Sequence, residues 1–281
     1  MWISDNWTDY ELLDCSHGER LERWGERILI RPDPQVIWQT PKQHSAWRSH
    51  DARYERSATG GGSWKKNQLP EKWPIRYGDL SFNVSLLNFK HTGLFPEQAI
   101  NWEYISEKIR LSEKKVNLLN LFSYTGGATL AAAAAGASVC HVDAARGMVM
   151  RARENAAISG LQDKPIRWIV EDCTKFIKRE IRRGRKYNAL IMDPPSYGRG
   201  PTGEIWKLED ELYGFLKLCT ELLSSEPLFI LINSYTTGLA PSSLTYIAQS
   251  VFGGQAQSRE LGLPVSSTGL YLPCGASCRI E

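Results

Sequence analysis

Residues 118–143 read Leu-Leu-Asn-Leu-Phe-Ser-Tyr-Thr-Gly-Gly-Ala-Thr-Leu-Ala-Ala-Ala-Ala-Ala-Gly-Ala-Ser-Val-Cys-His-Val-Asp, and the reading of this stretch decides the fold. Leu118 to Phe122 is an apolar run of strand length, and Ser123 to Gly127 can turn sharply and present bare backbone to a ligand. Ala128 to Ala135 is a helix of small residues that can lie close on a sheet, and Gly136 stops it. Ser138 to Val142 is a second apolar strand ending on Asp143. A strand, a glycine turn, a helix and a strand with a carboxylate at its tip form half of a nucleotide-binding fold. In such a fold the turn faces the ligand and the acid accepts hydrogen bonds from a ribose diol.

A dinucleotide site spaces three glycines so that a pyrophosphate can sit on the helix N-terminus. Here Gly126 and Gly127 are adjacent and Ala128 follows, which weakens a nicotinamide-dependent oxidoreductase reading. The apolar run from Tyr187 to Met192 then delivers Asp193-Pro194-Pro195-Ser196-Tyr197-Gly198 to the same edge of the sheet. On these two elements the sequence resembles the class I S-adenosylmethionine-dependent methyltransferases. More narrowly it is similar to the bacterial large-subunit ribosomal RNA methyltransferases of cytosine-C5 and guanine-N7 type, from about residue 80 onward and more loosely before.

The resemblance implies an α/β fold, a Rossmann-like seven-stranded sheet whose last strand is antiparallel, over residues 81–281. A small β-rich domain over residues 1–80 precedes it. S-adenosyl-L-methionine is the implied cofactor, held by Phe122, Ser123, Tyr124, Thr125, Gly126 and Gly127, by Asp143, and by Asp172 and Cys173 after the third strand. In that family an acid in the place of Asp172 accepts from the adenine amino group, and the next backbone N–H meets a ring nitrogen. Asp172 can equally cap the helix that starts near Thr174. Phe95 and Gln98 match an aromatic-x-x-Gln segment that covers the cofactor, and Asp193 also borders it.

The chemistry falls to Asp193, Pro194, Pro195 and Tyr197. Two prolines fix φ and remove two N–H donors, so that carbonyls stay aimed as acceptors beside a carboxylate able to take a proton. An amino group fits this arrangement. Methyl transfer from a sulfonium needs little beyond in-line positioning of a lone pair, so no metal is expected. Tyr197 can stack on an extruded base, and Gly198 to Lys207 reads as a substrate-facing lid with Arg199 and Lys207 available to phosphates. Methylation at cytosine C5 needs a thiolate that adds to the ring. The relatives place that cysteine after the strand-four proline or after the fifth strand, where this chain has Ser196 and Asn233-Ser234-Tyr235. Methylation of a base nitrogen is therefore preferred, with Asn233, Ser234 and Tyr235 lining the pocket. A C5 enzyme with a repositioned cysteine and a silent RNA-binding protein stay as alternatives.

A chain of 281 residues, 42% of them hydrophobic, can bury a full core. No apolar run nears the ~20 residues that span a bilayer, and the start lacks an export-signal pattern, so a cytoplasmic protein without a membrane partner is expected. The six scattered cysteines read as free thiols, and a net charge of +3 permits an RNA partner without requiring one. In the first ninety residues Tyr10–Asp14, Glu19–Trp24, Arg27–Arg31 and Gln35–Trp38 read as short antiparallel strands. Between Thr40 and Lys72 the strand pattern dissolves into interleaved basic and aromatic residues, among them Trp47, Arg48, Arg53, Tyr54, Arg56, Trp64, Lys65 and Lys66. These can contact single-stranded RNA or serve the small domain's own core, since seven of the ten tryptophans precede residue 90. The run from Lys175 to Lys186 leaves the catalytic edge on a helix and reads as a solvated face.

Overall fold

The computed structural model describes residues 1–57, 61–199 and 205–281. They form two compact units, one of residues 2–100 and 262–274, the other of residues 101–261 and 275–281 with Met1. The sequence reading divides the chain at residue 80. Among the described residues no helix is long and apolar enough to cross a membrane.

The front unit carries β1 (Trp2–Ile3), then a five-stranded sheet in the order β2 (Tyr10–Ser16), β3 (Glu19–Trp24), β4 (Arg27–Pro32), β5 (Ala52–Arg56) and β6 (Gly62–Lys66), and a hairpin of β7 (Trp73–Tyr77) and β8 (Leu80–Val84). The β2–β3 turn places both His17 and Gly18 at positive φ, 52° and 75°, the pair of conformations that lets a two-residue hairpin follow strand twist. Gln35–Trp38, expected as a strand, is not one. Gln35 N–H bonds to the Asp33 carboxylate at 2.9 Å, and the carbonyls of Val36 and Trp38 accept from Gly18 and His17, so the segment clasps a turn instead of joining a ladder. Conversely, the stretch where strand pattern dissolves supplies β5 and β6. Their pairing sets Tyr54 opposite Trp64, edge to face at 5.5 Å, the kind of aromatic cross-strand pair that stabilises a ladder.

The rear unit alternates helices and strands: α1 (Ala99–Leu111), β9 (Asn117–Leu121), α2 (Gly127–Ala134), β10 (Ser138–Asp143), α3 (Arg146–Ile158), β11 (Ile166–Val170), α4 (Cys173–Arg182) and β12 (Ala189–Met192). After a short pair, β13 (Tyr197–Arg199) and β14 (Ile205–Lys207), come α5 (Leu208–Thr220), β15 (Phe229–Ser234), α6 (Pro241–Phe252), β16 (Ala256–Pro264) and β17 (Tyr271–Ile280). The sheet has eight strands in the order β1-β16-β17-β15-β12-β9-β10-β11, one more than the seven expected, the extra one being the two-residue β1 at the edge. Neighbours from β11 to β15 run parallel, and β17 pairs antiparallel with β15, as expected. Both faces are covered. Phe176, Phe215 and Leu244 of α4, α5 and α6 pack one face, and Ile105 of α1 with Ala132 and Ala133 of α2 pack the other. Each large side chain buried here stabilises by about 1.5–3 kcal/mol relative to exposure. On α3 the buried row is Val149, Ala152, Asn155 and Ala156, whereas Ile158 at its end is 44% exposed.

The order carries a consequence for function. The chain builds outward from β9 through β10 to β11, then crosses to β12 on the other side of β9. Ligands of open parallel sheets bind at such a switch point, outside the carboxyl ends of the strands. Register aligns those ends: Leu121 is level with both Val142 and Met192, so Phe122, Asp143 and Asp193 each come next at one edge.

Candidate active site

The β9 turn is built from backbone strain and backbone hydrogen bonds. Phe122, Tyr124 and Gly126 sit at φ of 54°, 49° and 90°; two of these are side-chain-bearing residues in the left-handed region, a cost tolerated mainly at functional turns. What holds them is specific. Ser123 Oγ donates to Asn120 O at 2.6 Å and accepts from Val142 N–H at 3.1 Å, pinning the turn to β10. Phe122 N–H points at the Cys173 sulfur at 3.4 Å, and Gly126 N–H closes on Ser123 O at 3.1 Å. A Cβ on Gly126 would stand 3.0 Å from that of Ala152, and one on Gly127 would lie 2.5 Å from the Trp102 ring. Both glycines are therefore fixed by close packing beneath the turn, and Gly126 also by its positive φ.

Asp143, at the tip of β10, accepts Tyr124 N–H on one oxygen and Ala145 N–H on the other, each at 2.8 Å. Burial pushes its pKa above the usual aspartate value while the two N–H groups hold it down. Each carboxylate oxygen carries a further lone pair, so the pair of hydroxyls on a ribose can still be received. At the end of β11, Asp172 caps α4 by accepting Lys175 N–H at 2.9 Å, the structural role foreseen for it. Cys173 is buried with its thiol in the core, and burial pushes its pKa well up.

Asp193 follows β12, its N–H reaching Leu121 O at 3.3 Å. Pro194 is buried, Pro195 exposed, and Tyr197 is 50% exposed. The segment expected to form a lid includes residues 200–204, which lie outside the described residues; its flanks pair Tyr197 with Lys207 and Gly198 with Trp206. Phe95 and Gln98 fall in the front unit, where Phe95 precedes the short 3-10 turn Pro96–Gln98 and Gln98 is buried. Asn233, expected to line the pocket, has its side chain engaged inside the unit. It is 4% exposed and tied to Asn101 and Ser277 in a buried polar cluster completed by Arg279.

Sequence reasoning missed three supports of the site. Asn155 of α3, 1% exposed, donates to Thr125 O at 3.0 Å and steadies the turn from below. Its signal was a polar residue three positions after Ala152, in the buried row of a helix. Trp102 floors Gly127, and the chain Asn120–Thr129–His141 links β9, α2 and β10 through contacts of 2.9 Å.

In the front unit the aromatic residues of the basic stretch are occupied internally. Trp47 donates to Asp14 at 2.7 Å and Trp64 to Leu87 O at 2.7 Å, while Lys42 and Arg53 both meet Glu19. Arg48, Arg56, Lys65 and Lys66 stay exposed. On α4, Arg179 pairs with Glu171 at 2.7 Å and Arg183 with Glu180 at 3.3 Å.

A parallel sheet with one antiparallel strand, a strained glycine turn and an acid at the next strand tip define a nucleoside-binding methyltransferase site. A family model of S-adenosylmethionine-dependent methyltransferases matches residues 36–239, and the chain belongs to that family. A methyltransferase of this type from Agrobacterium tumefaciens superposes with a TM-score of 0.94 at 35% identity, over 99% of this chain and 92% of that one. A putative methyltransferase from Streptococcus mutans shares the fold, with a TM-score of 0.76 at 21% identity over 98% of this chain and 75% of that one. Among curated relatives, ribosomal RNA large subunit methyltransferase K/L of Shewanella frigidimarina is 32% identical over 143 residues, 49% of this chain and 19% of that protein. This chain thus spans about a fifth of that relative's length.

Proposed function

We propose that the protein methylates a base nitrogen of RNA, with large-subunit ribosomal RNA as substrate, at the Asp193-Pro194-Pro195-Ser196-Tyr197 segment. The observation that carries this reading is the register that sets Asp193 one residue beyond Met192, level with the cofactor turn that follows Leu121 on the adjacent strand. The residues present fit S-adenosylmethionine: bare backbone at Gly126, a partly exposed Asp143 carboxylate with spare lone pairs, and Asp172 beside the first N–H of α4. Bound there, the cofactor supplies a sulfonium methyl that departs without its bonding electrons. The chain's own part is to orient the acceptor. Asp193 takes hydrogen bonds from the amino group and receives the proton released as the nitrogen is alkylated, and the proline carbonyls fix its plane. Tyr197 offers an exposed ring to the base.

The cysteines favour nitrogen over C5. Cys140, Cys173, Cys219 and Cys278 of this unit are buried, with thiols pushed above the ordinary range, Cys140 to about 11, so none is a ready thiolate. The Shewanella relatives, ribosomal RNA large subunit methyltransferases K/L, support ribosomal RNA as the acceptor.

Incubating the protein with methyl-labelled S-adenosylmethionine and ribosomal RNA from cells that lack it tests the reading. Label is expected in RNA, in an N-methylated nucleoside on mass spectrometry. Label confined to protein, or found in 5-methylcytidine, overturns it.

A further inference from the structure

Two successive prolines leave the Asp193–Ser196 segment short of the N–H donors with which a strand is normally fixed. The segment has to be held through its oxygens by donors from elsewhere. Three such tethers are seen among the described residues. Trp206 Nε1–H donates to Pro195 O at 2.6 Å, Leu208 N–H donates to Ser196 O at 3.1 Å, and Thr236 Oγ1 donates to Ser196 Oγ at 2.7 Å. With Asp193 N–H on Leu121 O, tethers fall on both sides of Pro194 and none of these on it. The Pro194 carbonyl stands between two immobilised neighbours, beside the Asp193 carboxylate.

Trp206 differs from the other tethers because its ring has a second contact. It lies 5.5 Å from the ring of Phe122 and 5.4 Å from that of Phe215, and Phe122 lies 5.5 Å from Phe215. Phe122 is the left-handed residue that opens the cofactor turn. One side chain therefore meets the turn after β9 with its ring and the proline segment after β12 with its N–H.

We propose that Trp206 is a positioning residue that sets the proline segment against the cofactor turn, holding the Pro194 carbonyl and Asp193 at the distance and angle that methyl transfer requires. The proposal rests on the methyl-transfer reading of the proline segment, though not on which RNA is methylated. Misplacement of a reacting group by an ångström can cost ~10²-fold, so a hydrogen bond that fixes the segment has leverage on the rate beyond its own strength.

Two variants separate the roles of ring and N–H. Trp206→Phe keeps an aromatic ring on Phe122 and removes the donor; kcat is expected to fall at least about fivefold, the equivalent of one hydrogen bond, with S-adenosylhomocysteine affinity within twofold of wild type. Trp206→Ala removes both contacts, and S-adenosylhomocysteine affinity by calorimetry is expected to fall as well. Wild-type kcat in Trp206→Phe, or equal losses of product affinity in both variants, overturns the proposal. A readout independent of any RNA comes from ¹⁵N-labelled indole resonances, with the peak missing in Trp206→Phe identifying Trp206. In the wild-type protein that N–H is expected to exchange slowly and its resonance to shift on adding S-adenosylhomocysteine; exchange at the free-indole rate, or no shift, overturns it. If wild-type protein transfers no methyl to RNA, the proposed function fails, while the indole measurements still judge Trp206.

Discussion

In the front unit Glu22 lies fully buried between two guanidinium groups, Arg31 bidentate at 2.5 and 2.7 Å and Arg20 at 3.6 Å, with Tyr10 donating at 2.8 Å. In the rear unit Asp143 is held by two backbone N–H groups, and among the described residues it meets no cation. The first carboxylate is consumed by its partners and serves the fold. The second is oriented by the backbone and keeps lone pairs for a ligand. A polar side chain at a strand's carboxyl end, held by main chain alone, marks a site; one enclosed by opposite charge marks a core.

The comparison breaks first at Asp193. Asp193→Ala is expected to lower kcat about three orders of magnitude, the span of a lost acid–base group, while S-adenosylhomocysteine affinity and melting temperature change little. A matching loss of affinity would make Asp193 a cofactor residue instead. Next in size, Glu22→Ala takes from the buried Arg31 its carboxylate partner, while Arg20 keeps Asp33 at 3.3 Å, and should destabilise the front unit by about 3–5 kcal/mol, read from urea unfolding of the full chain. A change within 1 kcal/mol would show that the buried pair is dispensable. Asp143→Ala should weaken S-adenosylhomocysteine about ten- to a hundredfold, from roughly 1.5–3 kcal/mol for hydrogen bonds to a charged group, with calorimetry as the check and unaltered binding as the contrary result. Gly127→Ala drives a Cβ against Trp102 and should cost about 1–3 kcal/mol of stability, as overpacking does.

The rear unit was largely legible because its signals are local. The turn from Ser123 to Gly127, the stop at Gly136 and the acid at Asp143 are sequence-adjacent, and each apolar run of strand length became a strand within a residue or two. The front unit was less so. Trp38, Trp47 and Trp64 look like surface aromatics, yet each donates its N–H over at least 23 positions, to Cys15 O, Asp14 and Leu87 O. Such pairings leave no periodic trace. The same limit hid Trp206: Phe122, Trp206 and Phe215 are 84 and 9 positions apart and meet only because β12 lies beside β9. At Asn233 the strand end was legible, but its partner Ser277 lies 44 positions away on β17 and leaves no sign in the sequence.

The smallest effect separates the two units by pH. His141 in β10 is fully buried, Nδ1 2.9 Å from Thr129 Oγ1 and ring 4.9 Å from Trp168, and burial lowers its pKa to about 3. The folded protein therefore refuses a proton that the unfolded chain takes up below about pH 6.5, so stability from this group falls as pH drops from 6.5 toward 3. Between pH 7 and 6 the loss is about 0.7 kcal/mol. The front unit has its own such group in His91, lowered to about 4 by burial and by Arg31, Lys90 and Arg20. Glu22 is different. Burial raises its pKa, but Arg31 and Arg20 outweigh that and bring it to about 2, so its contribution is intact above about pH 4.5 and is lost only as pH falls toward 2. Amide hydrogen exchange of β9 and β10 at pH 7 and pH 6, corrected for intrinsic rates, should show the loss in wild type and none in His141→Gln, while β3 and β4 respond alike in both proteins. An unchanged slope in the variant would mean that the pH response of the rear unit comes from its carboxylates and not from a buried imidazole.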